Sequence, residues 1–184
     1  MLQGPIVSGM SRRRFVAALA AAVPVLAAPR RLLAASPSAR ALSFTHTHTG
    51  ERLAVEYFSG GSYLREALAS VDQFLRDFRT GDVHAIDPGL LDLLHDLTDL
   101  TGTTRPFQVI SGYRSPATNE MLRHRSEGVA GGSLHMKGLA IDIRLADVPL
   151  ATLRKAALAV GRGGVGYYPA SDFVHVDTGR VRTW

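Results

Sequence analysis

The chain predicts an α+β domain in which helices pack on one side of a small, mainly antiparallel sheet. Three observations carry that expectation. Short segments alternate apolar and polar residues with period two. Between them lie longer segments whose apolar residues recur every three or four positions. The 184-residue chain has no cysteine, and from residue 42 onward it shows no repeat or low-complexity linker. One core can therefore be built without crosslinks.

The elements follow in order. Leu42–Thr49 alternates weakly, Gly50–Glu51 makes a turn, and Leu53–Phe58 returns as the second arm of a hairpin. His46 and His48 share a strand face and read as residues of a solvated edge strand rather than as metal ligands. Ser62 is a candidate cap for a helix whose Leu64, Leu68, Val71, Leu75 and Phe78 form an apolar stripe. Asp87-Pro88 starts a second helix, with Asp as cap and Pro in the first turn, running through Leu90, Leu94 and Leu97 to Gly102. His95 lies at its boundary. Arg105–Ile110 is a strand that delivers Ser111-Gly-Tyr113-Arg114 at its end, and Ser115-Pro116 opens a helix through Leu122. His124 follows as an exposed residue. Leu139–Ile143 and Phe173–Asp177 are strands, separated by a helix from Asp147-Val-Pro149 to Gly161 and a glycine-rich approach to Tyr167-Tyr168.

The first 41 residues form a different region. They hold six of the 21 Lys and Arg and none of the 16 acids, so residues 42–184 carry 15 bases and 16 acids, about −1 against +5 for the whole chain. The basic excess belongs to the leader, which removes the main support for a nucleic-acid partner. Ser11-Arg-Arg-Arg-Phe15-Val is a twin-arginine signal, and the apolar stretch behind it, Phe15–Ala28, is short for a membrane span. Ala39-Arg40-Ala41 fits a small-x-small cleavage site that starts the mature domain at Leu42, with a cut near Ala27 or Ala28 as the alternative. The boundaries are thus 1–41 for the signal and 42–184 for the domain. The reading is of an exported chain with no stable membrane span after cleavage.

Three residues stand out chemically. An ionised Asp142 among Leu139, Ala140, Ile141 and Ile143 needs a cation or hydrogen bonds to offset its burial. His135 precedes it by seven residues across a glycine turn, and His175 lies on a second strand. Without cysteine, a metal must be held by His and carboxylate, and three protein ligands leave a position open for a reacting water. His135, Asp142 and His175 are therefore the candidate ligands of one zinc ion. Asp177, two residues beyond His175 on the same face, is placed to take a proton or to orient a ligand.

Ser111-Gly-Tyr-Arg-Ser-Pro116, Ser133-x-His135 with Gly138 and Asp142, Gly163-Gly-Val-Gly-Tyr-Tyr-Pro169 and His175-Val-Asp177-Thr-Gly179 stand in this order. Together they resemble the M15 metallopeptidases, and more narrowly their exported murein endopeptidase branch. The likeness spans about residues 42–184. It implies a hedgehog/D-Ala-D-Ala peptidase-like fold, a zinc held by His135, Asp142 and His175, and Arg114 at the substrate carbonyl or its developing oxyanion. It also makes Asp172, three residues before the last ligand, a rival to Asp177 as general base. Tyr113 and Ser133 inside the motifs, and Tyr167 after the glycines, are expected to touch substrate, with Tyr168 the other candidate for that groove and one of the two tyrosines in the core. With export, the expected substrate is a peptide crosslink of peptidoglycan. A D-Ala-D-Ala carboxypeptidase or dipeptidase, and a non-catalytic zinc-stabilised wall-binding module, are the alternatives. Oligomeric state has no signature in the residues.

Overall fold

The computed structural model describes residues 39–125 and 131–184. The expected signal, residues 1–41, lies outside them apart from its last three residues. Among the described residues, eight strands and four α-helices alternate along the chain: β1 (Arg40–His46), β2 (Arg52–Ser59), β3 (Ser62–Tyr63), α1 (Arg65–Phe74), α2 (Pro88–Thr101), β4 (Phe107–Ser111), α3 (Pro116–Arg125), β5 (Ala140–Arg144), α4 (Leu150–Val160), β6 (Gly164–Tyr168), β7 (Phe173–Asp177) and β8 (Arg182–Thr183). The strands form one sheet in the order β3-β2-β1-β4-β5-β7-β6-β8. It is larger than expected and mixed, because β1 runs parallel to β4 and β6 parallel to β8 while the other neighbours are antiparallel. No helix among the described residues is long and apolar enough to cross a membrane.

Register explains which side of the sheet is core. Ile141 pairs with Val176 and Ile143 with Val174, so these four share a face. They join Phe44, Phe107 and Val109 with Leu90, Leu94 and Leu97 of α2 and Leu153 and Ala157 of α4 in one buried cluster. Phe74 of α1 closes the same face, its ring 5.7 Å from that of Phe44. One-sided packing thus describes α1, α2 and α4, whereas α3 presents Leu122 to a cavity lined by residues of the opposite face.

The second helix follows its sequence signals. Asp87 caps it through Gly89 N, and Gly102 ends it in the left-handed region at φ 66°. Other elements depart from expectation. Ser62 does not cap α1; it pairs with Ser59 in β3, and the helix starts after Leu64 and stops at Phe74, short of Phe78. His46 is not on a solvated edge, because β1 lies between β2 and β4 and His46 is buried. β1 also begins before Leu42. Arg40 pairs with Asp92 at 2.6 Å and lies 4.7 Å over the Phe58 ring, so the expected start at Leu42 falls inside a strand that Arg40 anchors.

Candidate metal centre

Asp142 and His175 face each other across β5 and β7 on the side away from the core. His135 reaches them from a short 3₁₀ turn, Leu134–Lys137, which Gly138 ends at φ 66°. A side chain at Gly138 would also strike the Ala85 carbonyl, so both backbone angle and space require glycine there. One ligand atom from each of His135, Asp142 and His175 lies within 4.8 Å of the others. His135 Nε2 is 3.1 Å from His175 Nδ1, and Asp142 Oδ1 is 3.2 Å and 2.8 Å from these two nitrogens. All three side chains are buried.

The far nitrogen of each imidazole is anchored. His135 Nδ1 lies 2.7 Å from the Gly112 carbonyl, which can only accept, so this nitrogen carries the proton and Nε2 keeps its lone pair. His175 Nε2 lies 3.1 Å from Asp177 Oδ2, which by the same reasoning leaves Nδ1 bare. Two imidazole lone pairs and a carboxylate oxygen converging on one point are a donor set that fits a divalent zinc ion.

Electrostatics agree with this arrangement. Burial works against ionisation of Asp142, but its interactions with the adjoining His135 and His175 outweigh it and hold the carboxyl far below its usual range. Burial pushes the His135 imidazolium down. At His175 burial acts the same way but is overcome by Asp142 and Asp177, which raise it.

Arg114 sits at the rim. Its Nη2 donates to Asp142 Oδ2 and lies 3.3 Å from His135 Nε2, while Nε donates to Ser111 Oγ at 2.9 Å. A β-bulge makes this possible. Between Val109 and Ser111 the β4–β5 register shifts by one residue, pairing Val109 with Ile143 but Ser111 with Asp142. The extra residue turns Ser111 from the core face to the site face, and Ile110 also reaches the cavity.

The cavity above the trio measures about 520 Å³. Ser133, Arg114, His135, Asp142 and His175 line it, with Tyr168, the other groove candidate, and with His48, Arg79, Arg182 and Trp184, which have no site role in the sequence pattern. Tyr167 is a correction. It pairs with Val174 across β6 and β7, which puts it on the helix-covered face under Arg154, and Tyr168 with the opposite parity lines the cavity instead. Tyr113 also points elsewhere, stacked on His84 with ring centroids 4.8 Å apart.

Neither carboxylate expected as general base faces the ligand atoms. Asp172 sits in a left-handed turn at φ 53° and pairs with Arg144 at 2.8 Å. Asp177 is fully buried and lies across the His175 ring from Nδ1. Its Oδ1 accepts from Gly164 N, Gly179 N and Arg182 Nη1 at 3.0, 2.8 and 3.1 Å, and its Oδ2 from Arg182 Nη2 at 2.7 Å. Strand parity puts Asp177 beside His175 but says nothing of the distal nitrogen. Among the described residues, Asp142 is the one carboxylate lining the cavity.

Two other residues escaped the sequence reading. Asp77 accepts from Ser115 N and Oγ at 2.9 and 2.7 Å and from Arg79 N at 2.9 Å, tying the segment after α1 to the Arg114 loop. Arg182 covers Asp177 and lies 4.7 Å over Trp184. Its one sequence signal is the alternation Arg182-x-Trp184 shortly after the His175 strand.

A largely buried arginine over a buried two-histidine, one-aspartate trio fits the class of hydrolases built on a candidate metal centre of this kind. Residues 34–184 match the M15 peptidase family model described as peptidoglycan L,D-endopeptidase MepK, and the chain belongs to that family. The peptidoglycan L,D-endopeptidase MepK of Escherichia coli (strain K12) is 46% identical over 176 residues, covering 95% of this chain and 97% of that protein. The Shigella flexneri protein of the same name gives the same figures. The probable peptidoglycan L,D-endopeptidase MepK of Haemophilus influenzae is 41% identical over 177 residues, 95% of each chain.

Proposed function

We propose that this chain is a zinc-dependent murein endopeptidase with a hedgehog/D-Ala-D-Ala peptidase-like fold, exported by the twin-arginine route to the cell envelope. The bond it cuts is an L,D peptide crosslink of peptidoglycan, in keeping with the names of its relatives. The observation that carries the reading is the convergence of His135 Nε2, Asp142 Oδ1 and His175 Nδ1 with both distal nitrogens already fixed. His135, Asp142 and His175 would hold one zinc ion, which when bound supplies Lewis acidity toward the scissile carbonyl and lowers the pKa of a coordinated water.

The protein's own groups do the rest. The Gly112 carbonyl and Asp177 fix the two imidazole tautomers, so no reorganisation is needed for ligation. Arg114, held by Ser111, presents a fixed cation to the negative charge that develops on the carbonyl oxygen. Asp177 acts as a positioning residue for His175, in place of the base role that strand parity alone implies. Ser133 and Tyr168 line the cavity where an extended peptide would lie. A signal cut upstream of Arg40, such as the alternative near Ala27 or Ala28, is supported by the use of Arg40 and Ala41 in β1.

Mass spectrometry of defined crosslinked muropeptides, incubated with the purified protein with and without a chelator, tests this reading. Chelator-sensitive release of monomers from L,D-crosslinked dimers is the expected result. Loss of terminal D-Ala alone would replace it with the carboxypeptidase alternative. Binding by metal-loaded protein without cleavage would favour the wall-binding module.

A further inference from the structure

The lining of the cavity is lopsided in charge. Arg79, Arg114 and Arg182 contribute three guanidinium groups, with His48 beside them, and the one carboxylate among the described lining residues is Asp142. Two of the three cations are committed. Arg114 is bonded to Asp142 and Ser111, and Arg182 to Asp177. Arg79 has no ion pair among the described residues; its guanidinium rests 4.2 Å over the ring of Phe78.

Arg79 is nonetheless placed, not free. Its backbone N–H is held by Asp77, whose other oxygen holds Ser115, the residue after Arg114. One buried carboxylate thus fixes the spacing between the two cavity arginines. His48 stacks on Phe78 at 4.5 Å with the planes 13° apart, so Phe78 carries both cavity-wall groups. Arg79 is exposed at the cavity, so an anion can reach its guanidinium; partial desolvation together with the nearby charges of Arg114 and Arg125 bears on it more than Asp77 alone offsets. An anion arriving in the cavity would complete the balance.

We propose that Arg79, on its Phe78 platform and flanked by His48, is a subsite for a free carboxylate of the peptide substrate. The inference rests on the endopeptidase reading above and deepens it. Peptides crosslinked through side chains keep unblocked α-carboxylates, either on the diamino acid at the crosslink or on a γ-linked glutamate. Both present the planar, two-oxygen group that a guanidinium matches with paired hydrogen bonds. Arg79 is a specificity residue and takes no part in bond cleavage.

The test uses three crosslinked dimers: one unmodified, one amidated at the diamino acid carboxylate and one amidated at the glutamate α-carboxylate. Arg79→Gln is expected to raise KM on the unmodified dimer about tenfold, as loss of one charge-assisted contact implies, with kcat within about twofold. On the dimer whose amide replaces the bound carboxylate, wild type and variant should have equal KM, and this names the source. Arg79→Lys should recover part of the loss. A KM unchanged by Arg79→Gln, or raised equally on all three dimers, overturns the proposal, and an unchanged melting temperature guards against misfolding. If wild type cleaves none of the dimers, the endopeptidase reading fails separately. Calorimetric titration of the free carboxylate tripeptide then decides: binding weakened about tenfold by Arg79→Gln sustains the subsite, and equal binding removes it.

Discussion

Replacing Asp177 with asparagine should loosen metal binding before it touches chemistry. Asp177 accepts from four protein donors besides His175: Gly164 N, Gly179 N and both terminal nitrogens of Arg182. An amide can keep only one of the two oxygens as an acceptor. If its NH₂ took the Oδ1 position it would confront three donors, so the NH₂ is forced to the Oδ2 position, against Arg182 and His175. There it needs an acceptor, and the one that can adapt is His175 Nε2. Accepting means losing its proton, and the imidazole proton then moves to Nδ1, the nitrogen that faces Asp142 and His135. The substitution switches a tautomer.

Loss of such an orienting partner weakens metal affinity 10–100-fold, roughly 1.4–2.7 kcal/mol. Separately, leaving Arg182 half-paired beside a buried group costs about 2–3 kcal/mol of folding stability. For a domain of this size that lowers Tm on the order of 10 °C. Competition with a chromophoric chelator measures the zinc Kd, and thermal melting of metal-free protein measures the second effect. A variant with zinc Kd within twofold of wild type and unchanged Tm, but kcat reduced a hundredfold or more, would refute this reasoning and restore Asp177 as the general base.

Three further outcomes follow from the geometry. The Asp77 carboxyl is held at about 2, against 3.8 ordinarily: burial opposes its charge but hydrogen bonds from Thr118, Ser115 and the Arg79 backbone prevail. A depressed folded value means that its stabilisation, about 1–2 kcal/mol after allowing for solvent screening, is complete above about pH 4 and lost as pH falls toward 2. Urea unfolding of wild type and Asp77→Asn across this window should show the gap between them closing with acidity. Arg114→Lys keeps the charge but not the fork that joins Ser111 to Asp142, and steady-state kinetics should show kcat down on the order of 100-fold with zinc content unchanged. Tyr167→Ala should lower Tm through lost packing under Arg154 while leaving KM within about twofold, as expected for a residue on the far face of the sheet.

What could be read from the residues was whatever period two or a cap signal dictates. The ligand strands, the core face of Ile141 and Ile143, and the second helix from Asp87 to Gly102 are of this kind. Parity placed His175 on a strand face but could not say which nitrogen turns to Asp142, because that depends on where Asp177 sits relative to the ring. Tyr167 was misjudged because sequence does not reveal which of two adjacent tyrosines shares the face of His175. His46 was misjudged because strand order is non-local: the parallel pairing of β1 with β4 turns an expected edge into an interior strand. The β4 bulge and the Asp77 tether, which both serve Arg114, join residues far apart in the chain and leave no local pattern.

The bulge and the tether matter because Asp142 divides its two oxygens between different tasks. Oδ1 faces the two histidines, and Oδ2 receives Arg114. A cation joining Oδ1 would therefore leave the arginine contact standing, and the carboxylate proposed to help hold the metal also fixes the group proposed to meet the oxyanion. This economy works only if Arg114 approaches from the Oδ2 side. Ser111 sets that direction through Nε, and Ser111 faces the site solely because of the extra residue in β4. Asp77 holds the next residue, Ser115, from the other side, so the loop cannot relax away from the sheet. The aim of the arginine is thus settled by the backbone of β4 and a buried carboxylate outside the cavity, and a change at either would misdirect it while leaving all three ligands in place.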